Sequence, residues 1–372
     1  MKETAFLKTI AIVSEDLSYP LDEGFKKATA AIAVALATSG VRTVLFARQS
    51  SGLMDEGARP QSGALPDIRP ISLPDNKFLL GGAFARALKQ VRADAILYVP
   101  EAAATPMSMI RAGLIRRQAG GPPVALLSLQ ERTHAPGIPR LLRGLGAAPG
   151  MVLALSERSR RAFAQAGLSV RRVPLGVDTD LFRPPAAGER DRLRQKYGLP
   201  QGPIVLHVGH VSPRRNLELL RPAARSGTTL VIVASTSTSR DPAVRRAFEG
   251  SSVVFIDTYL EHIEEIYRAA DCYVFPTADP TGAIEVPLSV LEAMAANLSV
   301  VTTPFGGLPD LFAEGRGLFF ASSPGEFGAK TDAALACGDV ATRAMVADLT
   351  WSKAADRILE ALEELARGGR RD

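Results

Sequence analysis

The stretch Asp271–Asp310, DCYVFPTADPTGAIEVPLSVLEAMAANLSVVTTPFGGLPD, decides the reading of the whole chain. Cys272 to Phe275 is a short apolar run closed by Pro276, the pattern of a strand buried in a parallel sheet. The loop up to Val286 holds Pro280 and Gly282, and Pro287 fits the first turn of a helix, where its missing N–H costs nothing. Leu288, Val290, Leu291, Ala293, Met294 and Ala295 make that helix apolar on nearly every side. Leu298 to Thr302 reads as the next strand, and Gly306-Gly307 permits a tight backbone turn.

Two charges interrupt this apolar text, Glu285 just before the helix and Glu292 within it. A carboxylate in an apolar helix is costly unless it finds partners. One reading places both on a solvated stripe. The other aims them at the crevice beyond the strand ends, where ligands bind in open α/β sheets. Carboxylates accept from hydroxyls, and a helix N-terminus near Val286 attracts anions. A nucleotide sugar, polyhydroxylated at one end and phosphorylated in the middle, suits both features.

The stretch resembles the donor-site signature of retaining glycosyltransferases of the GT-B fold, glycosyltransferase family 4. That signature has a Glu, seven residues, then a second Glu within LEAMA. Leu291-Glu292-Ala293-Met294-Ala295 matches it. Glu285 stands with six residues between it and Glu292, Ile284 occupies the family's first Glu position, and Ala296-Asn297 stands where a small residue and Gly are usual. A second resemblance lies at Pro174 to Pro185, PLGVDTDLFRPP, which is similar to the family's interdomain linker. There Gly176 permits a turn, Asp178 and Asp180 can bind local N–H groups, Phe182 can anchor the segment, and the paired prolines stiffen it.

A third resemblance follows the strand Ile204 to Val208. The family's G-R-x-x-x-x-K-G, whose cations grip the donor diphosphate, is matched by Gly209, with His210 for the Arg, Arg215 for the Lys and Asn216 for the Gly. A guanidinium binds phosphate as a fork, whereas a histidine is only partly charged near neutral pH. Arg214-Arg215 read without the resemblance is a solvated helix start.

The N-terminal part opens as strand (Phe6 to Val13), loop, helix (about Phe25 to Thr38) and strand (Val41 to Phe46), the start of a doubly wound domain. Gly24 lies in the first loop; it reads as a turn glycine or, by the resemblance, as part of the acceptor side of a cleft. Ser50 to Asp75, rich in Gly, Pro, Ser and Asp, reads as a long surface segment. Helices are expected at Ala83 to Val91 and Pro106 to Gln118, and strands at Ala95 to Val99, Pro123 to Leu129 and Met151 to Leu155, with Ser156 a helix cap. The family often carries a histidine after the strand that here ends in Leu129-Gln130. The nearest here is His134, which reads as an exposed loop residue or an acceptor-side one. Further strands are expected at Val170 to Pro174, Thr229 to Ala234 and Val253 to Ile256. Helices are expected at Tyr259 to Ala270, Pro324 to Cys337, near Ala341, and Trp351 to Arg367.

Composition sets the outer bounds. At 372 residues two domains are expected. No apolar run reaches the roughly 18 residues of a membrane helix, and the apolar part of the start is too short for a signal peptide, so a cytoplasmic location is expected. Two cysteines without a spacing motif and four scattered histidines suggest neither a disulfide scaffold nor a bound metal. Met1 to Pro185 carries 24 Lys+Arg against 15 Asp+Glu, or +9, and the remainder 20 against 24, or −4. A basic first half fits an anionic acceptor or an anionic membrane surface. Its basic amphipathic pieces either rest on such a surface or pack on a sheet. Nucleic acid is not expected, since no basic run is interleaved with aromatics.

The resemblance thus implies two Rossmann-like doubly wound α/β domains of the GT-B fold facing a cleft, at 1–176 and 177–350, with a last helix at 351–372 crossing back to the first. It implies metal-independent transfer of a hexose-type sugar from a nucleotide diphosphate sugar, with retention, to a glycan, lipid-linked or small-molecule acceptor. No cofactor is expected. Arg215 and His210, with Gly209, would hold the diphosphate, Glu292 the ribose hydroxyls and Glu285 the donor sugar. Glu285 and Arg215 are the catalytic candidates. A GT-B epimerase and an inactive binding protein are the rival readings; the second draws on the departures at Ile284, His210, Asn216 and Leu129-Gln130.

Overall fold

The structure is a computed structural model, and it describes residues 7–17, 20–48, 67–71, 81–101, 103–132, 137–225, 227–237 and 241–368. Two compact units emerge. One is Met1–Leu21, Phe25–Leu175 and Trp351–Asp372; the other is Asp22–Gly24 with Gly176–Thr350.

The first unit is built on seven parallel strands. They are β1 (Thr9–Ser14), β2 (Arg42–Arg48), β3 (Asp67–Ile71), β4 (Ala95–Val99), β5 (Val124–Ser128), β6 (Met151–Ala154) and β7 (Val170–Arg172), in the spatial order β3-β2-β1-β4-β5-β6-β7. The order reverses at β1, as in a doubly wound sheet. The crossover helices are α1 (Gly24–Thr38), α2 (Gly82–Val91), α3 (Pro106–Gln118), α4 (Ile138–Gly144) and α5 (Glu157–Gln165). Ala11, Val13, Phe46, Ile96, Tyr98, Leu126 and Val152 from the sheet join Phe84, Leu88, Met109, Ile115 and Phe163 from the helices in one core. Ser156 caps α5 by accepting from the Ser159 N–H at 3.0 Å. The chain's last helix, Trp351–Gly368, belongs to this unit, where Glu360 and Glu364 pair with Arg171 of β7 at 2.6 and 3.2 Å.

One expectation is corrected here, and one helix is added. The span from Ser50 to Asp75 is not all loop, because Asp67–Ile71 forms β3, paired in parallel with β2. Its Pro70 is tolerated because β3 is an edge strand among the described residues. The basic stretch after Gln130 contains α4, whose proline sits at its first turns, where it does no harm.

The second unit has six parallel strands. They are β8 (Ile204–Gly209), β9 (Thr229–Ala234), β10 (Val253–Ile256), β11 (Cys272–Phe275), β12 (Ser299–Thr302) and β13 (Leu318–Phe320), in the order β10-β9-β8-β11-β12-β13. Helices α6 (Glu189–Lys196), α7 (Pro242–Arg246), α8 (Ile263–Ala269), α9 (Leu288–Ala295), α10 (Leu308–Leu311), α11 (Pro324–Leu335) and α12 (Thr342–Val346) surround it. Helix α8 starts at Ile263, four residues later than its apolar pattern suggests, and Pro287 is the residue before α9 rather than in its first turn. In the segment that resembles a linker, Asp178 Oδ1 accepts from the Asp180 and Leu181 N–H groups at 3.0 and 2.9 Å. Phe182 is buried edge-on against Tyr267, with ring centroids 5.4 Å apart.

Candidate functional site

In the second unit the strand order reverses at β8, so the carboxyl end of β8 is its topological switch point. The residues there are Gly209 and His210, and a 3₁₀ turn at Pro213–Arg215 follows directly. The turn brings Arg215 back over the strand end. A Cβ built on Gly209 would lie 3.3 Å from Arg215 Nη1 and 3.4 Å from His207 Nε2. Glycine at this position therefore leaves room for both side chains.

Arg215 is only 9% exposed, and burial pulls its pKa down to about 10, so it remains a cation at neutral pH. Its guanidinium carbon lies 5.9 Å from the centre of the Phe275 ring, a cation–π contact from the end of β11. Its Nε has no hydrogen-bond partner among the described residues. A buried charge that keeps an unused donor is suited to receive an anion. His210, just past the end of β8, is half-buried, and Arg214 is exposed.

Asn216 explains one departure from the family pattern. It has φ +52, in the left-handed region where glycine is usual and asparagine is the best-tolerated alternative. The same holds for Asn297 after α9, at φ +58, whose side chain also donates to the Val340 carbonyl at 3.1 Å and accepts from the Arg343 N–H at 3.2 Å. Both asparagines thus hold a left-handed backbone conformation that glycine adopts freely.

Glu292 projects from α9 and is 5% exposed, so it lies on no solvated stripe. It accepts from the Tyr267 hydroxyl at 2.7 Å. Burial raises the Tyr267 pKa well above its usual value, which keeps the phenol a donor. Glu285 is 1% exposed and immediately precedes Val286-Pro287. Its carbonyl accepts from the Gly307 N–H at 2.8 Å, and a Cβ on Gly306 would lie 2.2 Å from that oxygen. The Gly306-Gly307 turn thus folds directly onto the backbone of Glu285. Ile284 is 6% exposed and packs on Gly24, whose built Cβ would lie 3.1 Å from the isoleucine Cδ1. Gly24 is accordingly grouped with this unit. His134 lies outside the described residues.

Three features escaped the sequence reading. His207, in the middle of β8, is fully buried; its Nδ1 donates to the Val274 carbonyl at 2.9 Å, which leaves Nε2 as a bare acceptor. Burial, with smaller contributions from Arg215 and His210, lowers its pKa to about 4, so it is neutral. Tyr267 and Tyr273 stack at 5.8 Å and Tyr273 and His207 at 6.5 Å, a ring layer between Glu292 and Arg215. The signal for His207 was a single polar residue in the apolar run Ile204–Val208. Asp22 takes hydrogen bonds from Ser235 Oγ, Thr236 N and Ser237 N at 3.0, 2.6 and 3.1 Å. Burial works to raise its pKa, but the hydrogen bonds from Ser237, Thr236 and Ser235 outweigh it and hold the group ionised. No sequence pattern pointed to that pairing. Among the described residues no group of three or more His, Cys, Asp or Glu is placed to hold a metal ion.

The second unit thus presents a buried cation at its switch point and two buried carboxylates beyond the neighbouring strand β11. Residues 202–336 match the family model "Glycosyl transferases group 1". The chain is 32% identical over 146 residues to the sulfoquinovosyl transferase SQD2 of Arabidopsis thaliana, covering 37% of this chain and 27% of that protein. It is 26% identical over 265 residues to a GDP-mannose-dependent alpha-(1-6)-phosphatidylinositol monomannoside mannosyltransferase of Mycobacterium tuberculosis, covering 60% of this chain and 64% of that one. The chain thus spans about a quarter of the first of these relatives and under two thirds of the second. Among solved structures, a glycosyltransferase from Rickettsia africae superposes with a TM-score of 0.75 at 14% identity, over 96% of this chain and 98% of that one. Anabaena Alr3699/HepE in complex with UDP superposes with a TM-score of 0.71 at 18% identity, over 96% and 100%. These two likenesses are to the fold.

Proposed function

We propose that the protein is a retaining glycosyltransferase that moves a hexose-type sugar from a nucleotide diphosphate sugar to an acceptor hydroxyl. The observation that carries the reading is Arg215, a buried cation with an unused donor at the switch point of the second unit. The relatives support it: one is named GDP-mannose-dependent, and one solved neighbour holds UDP. Arg215 binds the diphosphate and stabilises the charge that grows on the leaving oxygen as the glycosidic bond breaks. His210, when protonated, adds a second donor. Glu292 accepts from the ribose hydroxyls and Glu285 from the donor sugar. The reaction requires no protein-bound metal. The acceptor is a glycan, a lipid-linked sugar or a small molecule, reached from a cytoplasmic, peripherally membrane-associated protein.

Calorimetry and product analysis with a panel of nucleotide sugars test the proposal. Sugar transfer that needs an acceptor and is lost in Arg215→Ala is expected. Turnover without acceptor would instead mark an epimerase, and binding without turnover an inactive binding protein.

A further inference from the structure

Four large hydrophobic residues are exposed among the described residues, and three of them, Ile138, Leu141 and Leu145, fall on and just after α4. They are 36%, 62% and 62% exposed. Their spacing puts them in one stripe of the helix, while Pro139 and Leu142 turn inward, Leu142 into the core of the first unit. The surroundings are basic. Between Ala102 and Ser156 the single acidic residue is Glu131, which pairs with Arg158 at 2.8 Å. The same span holds Arg116, Arg117, Arg132, Arg140 and Arg143, all exposed. Arg117, Arg140 and Arg143 donate to the carbonyls of Leu145, Gln165 and Gly167, which orients the guanidinium groups without neutralising them.

We infer that the α4 face is a docking surface for an anionic lipid bilayer, with Leu141 and Leu145 entering the headgroup–acyl boundary and the arginines lying among the phosphates. Exposed leucines rimmed by arginines, with no acid between them, are what an interfacial helix needs. A second copy of the chain suits the face poorly. A two-fold contact would set the arginines against their own images, and three side chains fall far short of the roughly 800 Å² per partner of a stable interface. Nucleic acid would call for aromatic rather than aliphatic residues. The inference rests on the peripheral membrane association proposed above and gives it a surface; it does not depend on the donor chemistry. No helix among the described residues is long and apolar enough to cross a membrane, so this face would be a contact from outside the bilayer.

The test is flotation of the intact chain with vesicles of phosphatidylcholine alone and of an equimolar mixture with phosphatidylglycerol. Binding to the mixed vesicles, weak binding to the neutral ones, and loss of binding as salt rises are expected. Leu141→Ser with Leu145→Ser should weaken binding about tenfold or more. Arg140→Ser with Arg143→Ser should weaken it about 25-fold, at roughly fivefold per arginine. Both pairs are exposed, and unchanged thermal melting will confirm that each variant folds. No binding by the natural chain, or equal binding by the folded variants, overturns the inference. Self-association in sedimentation velocity that the leucine pair abolishes, without vesicle binding, overturns it in favour of a second copy.

Discussion

Tyr267 of α8 donates its hydroxyl hydrogen to Glu292 of α9 across 2.7 Å, and both side chains are buried. The bond holds one carboxylate oxygen of Glu292 in place. Tyr267→Phe should therefore lower stability by about 1.5–3 kcal/mol, the usual range for a hydrogen bond to a charged group. Urea unfolding at pH 7 measures it. A loss below about 0.5 kcal/mol would show that the phenol contributes nothing to holding Glu292.

The Gly306 turn should tolerate no side chain. At φ +53 alanine carries a left-handed penalty of about 1–2 kcal/mol, and its Cβ would also meet the Glu285 carbonyl at 2.2 Å. Gly198 is a matched control, with φ +62 and nothing within 4 Å. Gly306→Ala should cost clearly more than Gly198→Ala in thermal melts, and it alone should weaken nucleotide-sugar binding, because it displaces Glu285. Equal costs would show that the turn gives way without moving Glu285.

His207 should make the fold acid-sensitive. Its folded pKa of about 4 lies below the ordinary value of 6.5, so between these the unfolded chain binds the extra proton. Stability from this group is full above about pH 6.5, falls as the pH drops toward 4 and is lost below it, on the order of 3 kcal/mol in all. His207→Leu should be less stable at pH 7, because the Val274 carbonyl loses its donor, yet lose less between pH 7 and 4.5 than the natural chain. Parallel acid losses in the two proteins would contradict the buried neutral imidazole.

Donor affinity should report the mixed character of the cation pair. Arg215 stays charged throughout the neutral range, whereas His210 in contact with phosphate gains charge only on the acid side. Affinity should fall as the pH is raised from about 6 to 8, and His210→Arg should flatten that profile. Arg215→Ala should weaken binding at every pH, by about tenfold or more. A profile already flat in the natural protein and unmoved by His210→Ala would remove His210 from the site.

Much of this was legible in the chain itself. Local apolar runs, turn residues and helix caps fixed β4, α3, β9, β10 and β11 at their observed bounds, because buried parallel strands and their crossover helices write their period directly into the sequence. The order of those elements, with LEAMA and GVDTDLF among them, determined a GT-B architecture and singled out Gly209, Arg215, Glu285 and Glu292. What only the tertiary structure decided depends on residues far apart in the chain. The short edge strand β3 forms because β2 pairs with it, against the signal of Pro70. The neutrality of His207 follows from its complete burial among Tyr273, Phe275 and the Val274 carbonyl, and the setting of Glu292 from a tyrosine 25 residues away. Burial and partner geometry are properties of the folded packing, and they set the charge state and orientation that a residue's name leaves open.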